Sequence, residues 1–161
     1  MTGRRVGLIV LAVAVLIQLV PVTRSNPAVE EEVTAPPRVK EILRRSCYDC
    51  HSNETVWPWY SRVAPVSWQL AHDVSEARGH LNFSTWDRYD AGERLHKLRE
   101  VWEQVEEGEM PLWMYLLMHP AARLSPADRD AIRDWVASSG ARLGHDHGED
   151  DDHHHDRDHG E

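Results

Sequence analysis

The 161 residues contain only two cysteines, Cys47 and Cys50, three apart. One disulfide is the most they can form. A zinc site would need a second pair of ligands at short spacing, and His72, His80 and His96 are scattered singly. Alternation of apolar and polar residues is also missing. There is no strand to read, and no βαβ unit of the kind a thioredoxin-like Cys-x-x-Cys requires. Nor is there a basic excess. The formal charge is −9, and residues 145–161 supply −7 of it through eight acidic groups and one arginine. A nearly neutral body with an acidic end offers no footprint for nucleic acid. Phenylalanine occurs once, against seven Trp and four Tyr. Such rings line flat ligands or build cores, and composition alone favours the core.

Arg4 and Arg5 precede the one long apolar run, Val6 to Val20, broken only by Gln18. At ~1.5 Å per residue it reaches roughly 22 Å, short of a ~30 Å bilayer core unless its flanks help. No A-x-A site follows, so residues 1–25 read as an uncleaved signal anchor. The basic residues before it would leave the domain in the periplasm, outside the cytoplasmic membrane. That oxidising compartment would also permit a Cys47–Cys50 disulfide. Residues 26–37, acidic and Pro-containing, read as a linker.

Residues 38–140 carry helical periods, interrupted by "SNETVWPWYSRVAP", which Pro58 and Pro65 make irregular, and by the connector "NFSTWD". Val39, Ile42 and Leu43 lead to Cys47 on one face. Trp68, Leu70, Ala71 and Val74 mark a second helix, and Leu95, Leu98, Val101, Trp102 and Val105 a third. "MPLWMYLLMHP" is apolar all round and is expected to be buried, with Met114 and Met118 as gap-fillers. Ser125, Pro126 and Asp128 open a final helix with Ile132, Trp135 and Val136 on its face, and Gly140 can end it. The expected fold is all-α. Residues 141–161 have the composition of a disordered tail. Six of the eleven histidines lie there, from His145 to His159, and with the interspersed carboxylates they could bind Zn, Cu or Ni weakly.

His51 directly follows Cys50, so the motif is Cys-x-x-Cys-His. In an exported chain that pattern reads as haem attachment. Positions i, i+3 and i+4 share a helical face, so Cys47, Cys50 and His51 can meet one object together. The two thiols would tether the porphyrin as thioethers, and His51 would reach the iron: one haem c per chain. A structural disulfide or a redox dithiol would leave His51 accidental.

"SCYDCHSNETVWPWYSRVAPVSW", "LNFSTW" and "GEMPLWMYLLMHPAARLS" together resemble the bacterial haem-binding domain family of anchored proteins related to c-type cytochromes. The similarity spans about Pro36 to Gly140. It implies an exported, monohaem domain like class I cytochrome c, with no single defined physiological role. "GEMP" is similar to the Met-Pro ligand loop of those cytochromes. Pro111 biases Met110 to an extended backbone that can aim a thioether at the iron, so Met110 is the expected sixth ligand, with His119 and then His72 as rivals and an open site as the remaining option. His80 and His96 read as surface residues. The carbonyl of Pro65, or of another residue in the loop after His51, is a candidate partner for the His51 ring, and Tyr60, Arg62 and Trp68 are candidates to bond the propionates or cover the haem edge. Function is expected to be electron transfer with an unknown redox partner at the membrane surface. A haem-based ligand sensor with an open or labile sixth site is the alternative. Enzymatic activity is not expected, since no distal acid–base pair is evident.

Overall fold

The computed structural model describes residues 2–141 and 143, and every regular element among them is helical. The order is α1 (Thr2–Leu16), α2 (Pro37–Ser46), α3 (Tyr48–His51), α4 (Val66–His80), α5 (Ala91–Glu106), α6 (Trp113–Met118) and α7 (Pro126–Ser138). Single 3₁₀ turns lie at Ile17–Leu19, Trp59–Arg62, Trp86–Arg88 and Pro120–Ala122.

The core sits where α7 lies against α2 and α5. Val39, Ile42 and Leu43 from α2, Leu98, Val101 and Val105 from α5, and Ile132, Trp135 and Val136 from α7 are all buried in it. Both later helices open with reciprocal capping boxes. The Asp90 carboxylate accepts the Glu93 amide while Glu93 accepts the Asp90 amide, each at 2.9 Å. Ser125 and Asp128 do the same for α7. Each box satisfies two amides that the helix itself leaves orphaned.

Four expectations need correction. Residues 26–37 are a strap rather than a linker. Val33 is 1% exposed, and its amide donates to the Phe83 carbonyl at 2.9 Å. The Glu30 amide donates to Ser84, and Glu31 accepts from Trp86, so the strap runs beside residues 83–86 with a single parallel bridge, Glu31 to Thr85. One apolar anchor, a row of backbone bonds and the strap's own carboxylates hold it, Glu30 pairing with Arg88 and Glu32 with Lys40, Arg44 and the Tyr48 hydroxyl. Second, α6 is not buried. Trp113, Met114, Leu117 and Met118 are all exposed, because six residues dock through one flank only. Third, in α4 only Ser67 and Val74 are buried, and Trp68 faces outward. Fourth, the body does not stop at Gly140: Ala141 is buried and Leu143 packs against the core. The remaining tail histidines and carboxylates lie outside the described residues.

At the N-terminus, α1 is fifteen residues long, and among the described residues no helix is long and apolar enough to cross a membrane. Its apolar side chains from Val6 to Leu16 are exposed.

Candidate functional site

The segment after α2 breaks direction at Cys47, whose ψ of −35° and φ of −128° end one helix and begin the next. The Cys50 and His51 amides both donate to the Cys47 carbonyl, at 3.1 and 2.9 Å. That single turn brings the three motif residues to one wall of a cavity of about 500 Å³. Met110 lies on the same cavity, with Pro111, Leu112 and Tyr115 beside it. Gly108, at φ +78°, takes the left-handed conformation that closes α5. The Met110 amide then donates to the Gln104 carbonyl at 3.0 Å, which pins the methionine loop to the end of α5.

The His51 ring is oriented from behind. Nδ1 stands 3.2 Å from the Ala77 carbonyl and 3.1 Å from the Leu81 carbonyl. Ala77 lies in the last turn of α4, where its carbonyl also accepts the Leu81 amide at 2.9 Å, and Leu81 is the residue that caps the helix. The acceptor is therefore the end of α4 and not Pro65. With Nδ1 engaged as donor, Nε2 is the nitrogen left free to bind a metal. Burial pushes the ring's pKa down even though the two carbonyls act the other way, which keeps it the neutral ligand form.

Cys47 and Cys50 are free thiols. Burial, reinforced by Cys50, pushes the Cys47 thiol up to about 12. Burial, with Asp49 and Asp73, pushes Cys50 up to about 11. Both are therefore held as protonated thiols at neutral pH, the less nucleophilic form.

Several residues that build the site carried no motif. Asp49, between the cysteines, accepts from the Tyr115 hydroxyl at 2.8 Å and from the Val56 amide at 3.0 Å. It thus ties the motif to α6. Arg78 donates to the Ser52 carbonyl (2.7 Å) and to Thr55 Oγ1 (2.8 Å), clamping the loop that leaves His51. Asn82 donates to Asn53 Oδ1 at 2.9 Å. The Asn53 amide donates to Ser84 Oγ, and the Ser84 amide to Asn82 Oδ1, each at 3.0 Å. This closed, buried network satisfies the polar groups beneath the motif. Phe83, the single phenylalanine, stacks on Tyr48 at 5.5 Å and meets the His51 ring edge-on at 6.4 Å. The "SN" after the motif and the "NFSTW" segment were the available signals.

Other candidates fall away from the cavity. His72 and His96 are exposed on helix surfaces, and His96 faces Glu100. His119 stacks on Tyr115 at 4.1 Å and does not line the cavity. Tyr60, Arg62 and Trp68 do not line it either, whereas the exposed His80 does. Asp73, Glu76, Glu100 and Glu103 stand on the wall, and among the described residues no lysine or arginine does. Among the described residues there is no cluster of three or more His, Cys, Asp or Glu suited to a bare metal ion.

The donor set is one imidazole, two thiols and one thioether around a partly apolar cavity, and the Ser46 hydroxyl on its wall is buried without a partner among the described residues. That suits a large planar metal complex better than a lone ion. A helical fold around such a cavity defines a cofactor-binding domain. Residues 12–138 match the haem-binding domain family, and since that is most of the chain, the protein belongs to it. Its cofactor is haem. No curated protein and no solved structure matches the chain.

Proposed function

We propose that the protein is a membrane-tethered, monohaem electron carrier of the c type. The observation that carries this reading is the convergence of Cys47, Cys50, His51 and Met110 on one cavity. Each cysteine would hold the porphyrin by a thioether, its sulfur bonding one vinyl carbon and its proton passing to the neighbouring carbon. His51 would bind through Nε2, with Nδ1–H held by Ala77 and Leu81. Met110, on the same cavity, would offer its thioether to the iron and exclude small ligands, and a thioether ligand raises the potential. When bound, haem supplies a one-electron ferric/ferrous couple. Asp73 and Glu76 on the cavity wall would favour a redox partner with a basic face, Glu100 and Glu103 being paired with Lys97 and Arg99.

The tether would be residues 1–25. The apolar part of α1, Val6 to Leu16, and the three residues of the following 3₁₀ turn add up to about 22 Å, so flanking residues would have to complete the crossing of a ~30 Å bilayer core. Arg4 and Arg5 would stay on the cytoplasmic side, leaving the domain in the periplasm.

Spectroelectrochemistry of the full chain should give a reversible one-electron step, and carbon monoxide added to the reduced protein should leave the spectrum unchanged. Met110→Ala should lower the midpoint potential and admit carbon monoxide. A wild-type protein that binds carbon monoxide at once would instead be a ligand-sensing module.

A further inference from the structure

Where the apolar N-terminal segment ends, the chain locks onto the loop before α4. Gln18 donates from Nε2 to the Ala64 carbonyl at 3.2 Å and accepts the Ala64 amide on Oε1 at 2.9 Å. This two-point match fixes the junction in one register. A little further on, Arg24 donates to the Ser61 carbonyl at 2.9 Å. Between these clamps lies a second cavity of about 150 Å³, with Gln18, Arg24, Arg62 and Ser67 on its wall. Among the described residues neither arginine has a carboxylate at ion-pair distance.

The same loop turns apolar residues outward. Trp59 is 74% exposed, and Val63 and Val66 are exposed beside it in sequence. Trp59 meets Tyr60 edge-on at 5.8 Å. Buried aromatics are core, but an exposed Trp backed by a half-buried Tyr, in a loop with arginines that have no ion-pair partner among the described residues, has the chemistry of a lipid headgroup layer. What covers this face follows from its continuity with α1. The apolar side chains of α1 are exposed along its length, and its far end delivers the chain directly to Gln18, Arg24 and the Ala64 loop.

We propose that this junction is a phospholipid-headgroup site. Arg24 and Arg62 hold a lipid phosphate, while Trp59, Val63 and Val66 sit in the interfacial layer. The inference rests on residues 1–25 being a membrane anchor. Its consequence is a fixed orientation of the domain. The loop leads straight into α4, whose far end carries the Ala77 and Leu81 carbonyls that hold His51. The haem site is thereby set roughly 20 Å along α4 from the lipid contact.

The test uses the full chain in vesicles of phosphatidylethanolamine and phosphatidylglycerol, with hydrogen exchange read at the amides of residues 59–67. The chain should float with the vesicles, and those amides should exchange on the order of tenfold more slowly than in uncharged detergent micelles. Arg62→Glu and Trp59→Ser, both exposed and away from the core, should restore fast exchange without loss of flotation. Flotation with exchange that is insensitive to lipid charge and to both variants would overturn the docking site and leave the anchor standing. A chain that does not float would overturn both.

Discussion

The two sides of α5 are built from similar residues and reach different ends. On one side, α7 packs against it and α2 against α7, with Ile132 and Val136 wholly buried and α5 and α7 both capped. On the other, α3, α4 and the methionine loop surround a cavity that Val101 and Val105 of α5 also line, and α6 buries no residue at all. The first side carries the stability of the domain through its own side chains. The second is arranged to hold something other than itself. The buried Asn53–Asn82–Ser84 network lies beneath the motif and keeps it in shape, with backbone and amide groups where apolar packing would otherwise have to do so.

The largest expected effect would separate these roles outright. Replacing Cys47 and Cys50 together by Ser should abolish covalent haem, while far-ultraviolet circular dichroism still reports a helical core. Wholesale loss of helicity would show that the two sides are not separable. Next, Ile132→Ala strikes the first side only. It should lower stability by about 2–5 kcal/mol in urea titrations and leave the haem spectrum of the folded fraction unchanged.

A smaller effect comes from the cap of α7. Burial alone would raise the Asp128 carboxyl, but bonds from Ser125 and the Arg45 guanidinium outweigh it and hold it below its ordinary value. A carboxyl lowered in the folded state contributes stability above its unfolded value, near pH 4, and loses it as pH falls through the folded value. Asp128→Asn should therefore cost about 1 kcal/mol at pH 7, and wild type and variant should converge in acid. A gap that persists at pH 2 would mean the loss is packing rather than charge. Smallest of all, Leu117→Ser on exposed α6 should change thermal stability by less than about 0.5 kcal/mol. A larger loss would place α6 in the core after all.

Legibility in the sequence follows the same division. Helix α7 could be read because Ser125, Pro126 and Asp128 spell a cap and Ile132, Trp135 and Val136 a face. The Cys-x-x-Cys-His turn was readable because its spacing is its geometry. Met110 was readable from a proline beside it and a glycine before it, and the structure places it on the same cavity. The strap was not readable, since backbone bonds to Phe83, Ser84 and Trp86 leave no trace in a string of glutamates. Nor was the buried Asn53–Asn82 pair, because polar side chains default to the surface. Helix α6 misled because an apolar run signals burial only when neighbours exist on every flank. The partner of His51 was misplaced because a helix end contributes carbonyls whatever its side chains are, and sequence spacing does not say which helix end arrives.

The most direct measurement is the mass of the denatured full chain produced in a host with cytochrome c maturation. The expected result is a mass raised by one haem, lost when Cys47 and Cys50 are replaced. A bare chain with haem released on denaturation, or a chain two hydrogens light with a Cys47–Cys50 disulfide, would contradict it.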